Sequence, residues 1–344
     1  MTPDSDVLGR GAMEIDITDR GAGLKAVTAT LSAGGKEHPI AAEVFAVPVG
    51  EKKISLALAD LEGVKEGPAV LRVSARDGSL WKFFAGNETV LQKEIAIDLT
   101  PPVLELLAED RYISFGGAGA IVYRSSADTV ASGVWVGDHF FPGSKGQVKG
   151  QPDEFIAFFA HPYDTPAQAK GRLVATDKAG NVREMPLGYV LKGVKYRKST
   201  IAISDRFIQR TVTPLLNDED AREGGAKEIF LAVNNRMRKK NDDKIAEITK
   251  KVTPSILWQG AFVQLSNSKV EANFADERTY TYRNQPIDKA WHLGYDLSVT
   301  KRYPVEAANR GTVAFAGDLG IYGNSVILDH GLGLFTLYSH LSSI

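Results

Sequence analysis

The first hundred residues contain four short segments in which apolar side chains alternate with polar or small ones, and this period of two constrains the fold most. The segments are residues 15–17, 24–30, 53–58 and 69–75, with glycine-containing turns between them. Successive side chains of a β-strand point to opposite faces of a sheet, so the alternation predicts strands with one buried face. Short strands separated by turns over about 100 residues predict a β-sandwich.

A fainter second copy of the pattern follows one sandwich length later. The run Leu-x-Val-x-Ala-x-Asp-Gly at residues 71–78 is echoed by Leu-Val-Ala-Thr-Asp-Lys-Ala-Gly-Asn at residues 173–181. The second run resembles the ends of bacterial immunoglobulin-like modules. Pro101 and Pro102 mark a boundary between the copies, because paired prolines interrupt a strand ladder and stiffen a linker. We therefore predict two immunoglobulin-like β-sandwiches, at residues 1–100 and 101–192, with one larger irregular β domain as the alternative.

After the second sandwich the apolar spacing becomes helical. Ser204 is a capping residue in front of residues 205–210, which predicts a short helix that ends near Pro214. Residues 218–251 predict a longer polar helix with a broken apolar stripe, formed by Ile229, Phe230, Val233, Met237, Ile245 and Ile248. We interpret residues 193–255 as a helical linker that acts as a spacer or as a cover over an active cleft.

The carboxy-terminal segment gathers residues that can bind a metal. Three of the six histidines, His292, His330 and His340, lie in it together with Asp296. His292 and Asp296 supply a nitrogen and an oxygen donor, a combination suited to zinc. Residues four apart on a straight strand lie about 13 Å from each other, too far to share one metal ion. The chain must therefore bend between them, and Gly294 permits such a bend.

Several ordered motifs in residues 265–344 resemble the lysostaphin/LytM-type zinc metallopeptidases of family M23, which cut peptide bonds in bacterial peptidoglycan. The family's His-x-x-x-Asp falls on residues 292–296, its Pro-Val-x-Ala on 304–307, its Gly-Asn-x-Val-Ile on 323–327 and its Tyr-x-His-Leu on 338–341. The resemblance implies that His292 and Asp296 are zinc ligands and that His340 is a catalytic histidine. Residues 274–278 are similar to the family's Phe-Gly-x-Arg, with Ala275 in place of the glycine.

The resemblance also implies a fold and a mechanism. Residues 256–344 are expected to form an antiparallel β-sheet domain of LytM type, with a duplicated hybrid motif, so that the whole chain is mainly β. Zinc (Zn²⁺) in such a site polarises the scissile carbonyl and lowers the pKa of its bound water towards about 7. Nearby histidines then help to deprotonate that water or stabilise the oxyanion. The implied substrate is the peptide stems of peptidoglycan.

One part of the family pattern is missing. Members carry a His-x-His after Tyr-x-His-Leu, which supplies the third zinc ligand and a second catalytic histidine, and this sequence ends at Ile344 before that point. We therefore expect an incomplete peptidase domain that binds zinc poorly, because catalytic zinc sites use three protein ligands plus water. The alternatives are an inactive LytM-like protein that regulates another cell-wall hydrolase, and a structural or adhesive β protein whose histidines are incidental.

Composition narrows the function classes further. The formal net charge of −1 gives no electrostatic case for nucleic acid, and the absence of cysteine excludes disulfides and cysteine nucleophiles. No apolar run is long enough to span a bilayer, and the first residues are polar. Because the implied substrate lies outside the cytoplasmic membrane, we expect a periplasmic or cell-envelope location and a native signal or anchor that has been removed. The sandwiches could bind a protein partner in the envelope.

The sequence leaves open the roles of four further residues in the carboxy-terminal segment. His330, between Asp329 and Gly331 at a predicted hairpin turn, is interpreted as structural or surface-exposed. Tyr338 either lines the groove or packs. Latent family members supply a blocking ligand from a segment before the first zinc ligand, and Asn267 or Asn273 has the position for that role.

Overall fold

The computed structural model describes residues 5–79, 86–193, 196–216 and 224–344, which form a mainly β protein with several sheets, as predicted. These residues divide into two compact units. The first comprises 1–105, 124–132 and 173–185, and the second comprises 106–123, 133–172 and 186–344.

The first unit is built mainly from seven strands. They are β1 (Val7–Leu8), β2 (Ala12–Thr18), β3 (Leu24–Ala33), β4 (Lys36–Val49), β5 (Glu51–Ala57), β6 (Gly67–Asp77) and β7 (Glu88–Ile97), with a 3₁₀ turn at Leu58–Asp60. The order β1-β7-β6-β3-β4 forms one sheet, and β2 pairs with β5 in a second. The four segments predicted from alternation fall on β2, β3, β5 and β6.

Both sheets of this unit contribute side chains to one core, which is the arrangement of a β-sandwich. Leu31 and Leu71 are opposite each other on β3 and β6, and both are fully buried. Met13 of β2 and Leu56 of β5 enter the same core from the second sheet. In β2, β3, β5 and β6 the buried residues therefore fall at every second position over part of each strand, as the period of two requires.

Ten strands follow along the chain. They are β8 (Leu104–Glu109), β9 (Tyr112–Ser114), β10 (Ala118–Ser125), β11 (Thr129–Val136), β12 (His139–Pro142), β13 (Ser144–Lys145), β14 (Phe155–Ala160), β15 (Arg172–Asp177), β16 (Val182–Pro186) and β17 (Val190–Lys192). They form sheets in the orders β13-β14-β10-β8 and β12-β11-β15-β16, and β17 pairs in parallel with β9.

The two echoed sequence motifs use the same hydrogen-bonding arrangement. At the end of β6, Asp77 accepts the main-chain N–H of Asn87 through Oδ1 (2.6 Å) and its side-chain amide through Oδ2 (2.9 Å). At the end of β15, Asp177 accepts the main-chain N–H of Asn181 through Oδ1 (2.9 Å) and its side-chain amide through Oδ2 (3.0 Å). At both positions an aspartate at the end of a strand thus accepts two hydrogen bonds from one asparagine.

The helical segments lie between residues 205 and 249, after the sandwich strands in the sequence. They are α1 (Asp205–Phe207), α2 (Ala226–Leu231) and α3 (Arg238–Thr249), with π-helical turns at Ile208–Val212 and Ala232–Met237 and a 3₁₀ turn at Thr213–Leu215. Ser204 caps α1 as predicted, because its Oγ accepts the N–H of Phe207 at 3.2 Å. The start of the longer predicted helix, residues 218–223, lies outside the described residues. Within the described ranges, no helix combines the length and apolarity needed to cross a bilayer.

The last eight strands include those that carry or flank the residues of the candidate site. They are β18 (Lys198–Ile203), β19 (Lys269–Ala272), β20 (Glu277–Tyr282), β21 (Gln285–Trp291), β22 (Asp296–Ser298), β23 (Thr312–Asp318), β24 (Asn324–Asp329) and β25 (Phe335–Leu341), with a 3₁₀ turn at Gly320–Tyr322. Their sheets have the orders β18-β20-β21, β19-β22 and β23-β24-β25.

The helical region packs on the sheet that leads to the candidate site. Strand β18 arises inside the segment interpreted as a helical linker, and it pairs in parallel with β20. The stripe residues Phe230, Val233 and Met237 are buried in one apolar cluster with Tyr280 of β20. The apolar stripe therefore packs on the β18-β20-β21 sheet, in which β21 ends at Trp291.

We predict that Asp77 contributes stability that is lost in acid. Hydrogen bonds from the main chain and side chain of Asn87, with a further one from Ser79, hold the pKa of Asp77 well below its ordinary value. A lowered pKa in the folded state means that the contribution is complete above about pH 4 and is lost as the pH falls through the folded-state pKa. Thermal melting at pH 7 and pH 3 should show a smaller acid-induced drop for Asp77→Asn than for the wild type.

The matched control for this prediction is Asp60→Asn, since Asp60 is exposed and makes no hydrogen bond among the described side chains. It should melt with the pH dependence of the wild type. If Asp77→Asn shows that same dependence, the pair Asp77–Asn87 does not carry the acid sensitivity.

Candidate metal centre

A four-residue turn before β20 holds the main chain and the ring of His292. The N–H of Ala275 donates to the carbonyl of His292 at 2.6 Å, and the N–H of His292 donates to the carbonyl of Asp276 at 3.0 Å. The Nδ1 atom of the His292 ring lies 3.0 Å from the carbonyl oxygen of Asn273. The imidazole is therefore fixed in position and in rotation by residues 273–276.

The contact with Asn273 decides which ring nitrogen of His292 is free. A carbonyl oxygen only accepts hydrogen bonds, so Nδ1 must carry the proton in that contact. The other ring nitrogen, Nε2, lies 3.1 Å from Oδ1 of Asp296. In the neutral ring Nε2 has a lone pair, and a carboxylate oxygen also only accepts, so a proton or a metal cation must lie between these two atoms.

Asp296 reaches His292 because the chain bends between them, as predicted. Strand β21 ends at Trp291, the chain bends at Gly294, and β22 begins at Asp296. Strand β22 pairs antiparallel with β19, which fixes the main chain of Asp296 opposite Ala272. His292 and Asp296 are thus brought together from the ends of two strands that belong to different sheets.

Arg278 of β20 also contacts Asp296, and sequence reasoning did not single it out for this role. A terminal guanidinium nitrogen (Nη2) of Arg278 lies 3.4 Å from Oδ2 of Asp296, while Oδ1 faces His292. The Arg278 side chain is 23% exposed and that of Asp296 is 52% exposed, so water screens much of this attraction. The contact orients the carboxylate more than it stabilises the fold.

Ala275 has a main-chain conformation that favours glycine. Its φ is 62°, in the left-handed region, and the residue is fully buried. The family motif carries glycine at this place. In this chain alanine replaces the glycine, but the main chain keeps the left-handed conformation. The turn of residues 273–276 is stable here in spite of the alanine, at a cost of about 1–2 kcal/mol.

His340 lies in the other sheet of this region. It is exposed near the end of β25, and no hydrogen bond to it is found among the described residues. The pairing of β24 with β25 is irregular between Asn324 and Val326, and His340 has φ 59° there. A bulge of this kind turns a side chain away from the regular strand alternation. No contact joins His340 to His292 or Asp296 in the described part of the chain.

The other predicted residues have structural contacts. His330 is fully buried, with Nδ1 2.6 Å from the carbonyl of Arg310 and Nε2 2.8 Å from the hydroxyl of Thr336. This agrees with the structural interpretation of His330 and not with the surface one. The hydroxyl of Tyr338 accepts the N–H of Ala308 at 2.6 Å and so anchors the chain after the Pro-Val-x-Ala motif.

The two asparagines considered as blocking ligands make other contacts. Asn273 contacts His292 through its main-chain carbonyl. The side-chain amide of Asn267 donates to the hydroxyl of Tyr303 at 3.2 Å, and Ser266 lies 2.8 Å from the same hydroxyl. Hydrogen bonds from Ser266 and Asn267 lower the pKa of Tyr303. This segment contributes main-chain support for His292 and an anchor for Tyr303.

An aromatic cluster lies directly beside the centre. The ring of Trp291, one residue before His292, is 5.6 Å from the ring of Tyr163 and 6.4 Å from that of Tyr196. Tyr163 also contacts Phe274 edge to face at 6.4 Å. These rings pack the strand end that carries His292 against residues of the same compact unit, and burial raises the pKa of Tyr163.

We predict that Ala275→Gly stabilises the protein by up to about 1 kcal/mol. Glycine removes the cost of the left-handed conformation, about 1–2 kcal/mol, and loses part of that gain through the greater entropy of the unfolded chain. Chemical denaturation measures the change. The control is Ala290→Gly in β21, which should destabilise, since Ala290 lies in a regular strand. A destabilised Ala275→Gly variant would show that the methyl group makes packing contacts that outweigh the strain.

We also predict that His292 carries a proton on Nδ1. The ¹⁵N shifts and couplings of the imidazole, measured by NMR in metal-free buffer near pH 8, report which nitrogen is protonated. Exposed His139 serves as the internal reference for a ring without a fixed partner. An unprotonated Nδ1 on His292 would contradict the role assigned to the Asn273 carbonyl.

Comparison with known proteins places the resemblance in the same segment. Residues 290–344 match the sequence model of Peptidase family M23. Over 66 residues the chain is 41% identical to the DD-carboxypeptidase/endopeptidase Mpg of Neisseria meningitidis and to that of Neisseria gonorrhoeae. The match covers 19% of this chain, and the chain spans only 15% of the length of these relatives.

Solved structures are similar to this chain only at a low level. A Bacteroides ovatus glucan-utilisation protein, SGBP-B, is 14% identical, with 57% of this chain and 46% of that one covered and a TM-score of 0.18. A bacterial ice-binding adhesin is 12% identical, with 58% and 68% covered and a TM-score of 0.23. At these TM-scores the likeness carries no argument. The segment that matches Peptidase family M23, residues 290–344, includes His292, Asp296 and His340.

Proposed function

We propose that this protein is a zinc-dependent endopeptidase that hydrolyses the peptide cross-links of bacterial peptidoglycan. The observation that carries the proposal is the pair His292 and Asp296, whose acceptor atoms Nε2 and Oδ1 face each other at 3.1 Å. The match of residues 290–344 to Peptidase family M23 and the similarity to the Neisseria DD-carboxypeptidase/endopeptidase Mpg support the reaction class.

The donor set of the pair fits a zinc ion. Zinc takes imidazole nitrogen and carboxylate oxygen at about 2.0–2.2 Å, and two such donors in a tetrahedron lie about 3.4 Å apart. The distance of 3.1 Å between Nε2 and Oδ1 is close to that value. The carbonyl of Asn273 on Nδ1 is the kind of outer contact that orients a metal-binding histidine. Arg278 holds the second carboxylate oxygen of Asp296 in the same way.

Each residue of the site has a stated task in the proposed reaction. His292 and Asp296 would hold the metal, which when bound polarises a peptide carbonyl and activates water. His340, exposed and turned by the bulge in β25, would accept the proton of the attacking water or hold the developing oxyanion. Exposed Trp291, Leu293 and Tyr295 beside the pair offer apolar surface to a peptide stem.

The remaining segments are proposed to position the peptidase. We keep the division into two immunoglobulin-like sandwiches at 1–100 and 101–192, a helical segment at 193–255 and the peptidase segment at 256–344. A cell-envelope or periplasmic location follows from the substrate, and a protein partner there would use the sandwich modules. The competing proposal is an inactive LytM-like regulator of another hydrolase.

The test begins with zinc binding by the purified chain. We expect one weak site, because two candidate protein ligands are present among the described residues and catalytic zinc sites use three. His292→Ala and Asp296→Ala should each weaken zinc binding at least about tenfold, in the range expected for loss of a ligand or its support. His139→Ala, which removes an exposed histidine, is the matched control and should bind zinc like the wild type.

The second step measures the release of peptides from purified peptidoglycan. We expect slow zinc-dependent release that is lost in His292→Ala. His340→Ala should keep the zinc affinity and lose hydrolysis by about 10²-fold or more, as expected for a general acid or base. Zinc binding without hydrolysis under any condition would favour the regulator. Zinc binding that His292→Ala leaves unchanged would refute the proposed metal centre.

A further inference from the structure

Three carboxylates from distant parts of the sequence meet in the first compact unit. Asp98 follows β7, Asp128 lies in the turn before β11, and Asp177 ends β15. One oxygen atom from each lies within 4.8 Å of the others. These residues all belong to the same unit, and none of them is part of the peptidase segment.

Asp98 and Asp128 are partly exposed, but two features separate the cluster from ordinary surface acids. Asp177 is only 1% exposed, and Oδ1 of Asp128 is buried and has no hydrogen-bond partner. A buried polar atom without a partner is unfavourable, and more so when the group is charged. The orphaned oxygen of Asp128 is independent of the clustering itself and indicates a missing electrophilic partner.

No basic side chain supplies that partner. Within the described ranges, Asp98, Asp128 and Asp177 form no ion pair. Asp177 accepts only the two neutral donors of Asn181, and Oδ1 of Asp98 accepts the N–H of Thr100 at 3.0 Å. Each carboxylate oxygen has two lone pairs, so these hydrogen bonds leave acceptor sites free on all three residues. Three like charges at this spacing repel one another unless a cation lies among them.

From this geometry we infer that Asp98, Asp128 and Asp177 form a binding site for a divalent calcium ion. The donors are all carboxylate oxygens, which suit the hard cations Ca²⁺ and Mg²⁺ and do not suit zinc. Calcium binds oxygen at about 2.3–2.6 Å, so ligands on opposite sides of the ion lie up to about 5 Å apart. Magnesium requires about 2.0–2.1 Å and a stricter octahedron. The three oxygens lie within 4.8 Å of one another, which is inside the span that calcium bridges, and calcium does not require a strict octahedron.

The main chain around the cluster is already arranged to hold the three carboxylates together. Asn181 is 2% exposed, and its side-chain amide donates to Oδ2 of Asp177 at 3.0 Å and to the carbonyl of Asp98 at 2.9 Å. The N–H of Lys178 donates to the carbonyl of Asp128 at 3.2 Å. A bound calcium ion would therefore cross-link the end of β7, the turn before β11 and the end of β15.

This arrangement also distinguishes the two echoed motifs. Asp77 and Asp177 have the same pairing with asparagine, but only Asp177 has two further carboxylates beside it among the described residues. The first copy pairs an aspartate with an asparagine, and the second copy does the same and also supplies a calcium ligand. The calcium site then stabilises the part of the chain that contains Pro101 and Pro102.

The test is a calcium titration of the intact chain by calorimetry after removal of metals with a chelator. We expect one site with a dissociation constant on the order of 10⁻⁴–10⁻³ M, as in extracellular modules. Asp177→Asn and Asp128→Asn should each weaken calcium binding at least about tenfold. Asp138→Asn, an exposed aspartate outside the cluster, is the matched control and should bind like the wild type.

A second readout separates loss of binding from loss of folding. Asp128→Asn removes a charge from a repelling group, so without calcium the variant should melt at or above the wild-type temperature while its calcium response is lost. Hydrogen exchange at the main-chain amides of residues 98–100 and 177–181 should slow when calcium is added to the wild type only. His292→Ala should keep the full calcium response, which makes this site independent of the proposed peptidase centre.

Three outcomes would overturn the inference. The first is no binding at about 10 mM calcium, well above the expected dissociation constant. The second is calcium binding that Asp128→Asn and Asp177→Asn leave unchanged, which would place the ion elsewhere. The third is equal affinity for magnesium, which would contradict the choice of the larger ion.

Discussion

The candidate metal centre depends on one short turn that binds a histidine at three points. Residues 273–276 hold the N–H, the carbonyl and the Nδ1 atom of His292. The consequence is chemical as well as geometric, because fixing Nδ1 as a donor leaves the Nε2 lone pair directed at Asp296. Two acceptors in contact are unfavourable unless a cation lies between them. The left-handed Ala275 shows that the fold tolerates strain to keep this turn.

Other residues of the second unit pack against the strands and side chains next to that turn. Helix residues Phe230, Val233 and Met237 bury themselves against Tyr280, and β18 adds a parallel neighbour to β20. Trp291 and Phe274, which flank the turn and the histidine, contact Tyr163. Burial of large aromatic and aliphatic side chains is the main stabilising contribution available to such an arrangement. The helical segment is therefore part of the scaffold of the site and not a free spacer.

The surroundings of Asp296 and of Asp177 differ. Asp296 is half exposed, has Arg278 on one oxygen and faces a nitrogen donor on the other. Asp177 is buried, has only neutral donors and faces two other carboxylates. The first environment suits an ion that takes mixed nitrogen and oxygen ligands, and the second suits one that takes oxygen alone. The same residue type is thus proposed to serve two different kinds of site.

The sequence alone predicted the mainly β class, the strands at β2, β3, β5 and β6, the helix cap at Ser204 and the bend between His292 and Asp296, because each depends on neighbours along the chain. It did not predict β4, since Pro39 and Pro48 interrupt the alternation of that strand. It also did not predict β18, which begins with the polar residues Lys198, Ser199 and Thr200. Contacts between distant residues were decided only by tertiary structure. The carbonyl of Asn273 on His292, Arg278 on Asp296 and the meeting of Asp98, Asp128 and Asp177 depend on strand pairing that no local pattern encodes.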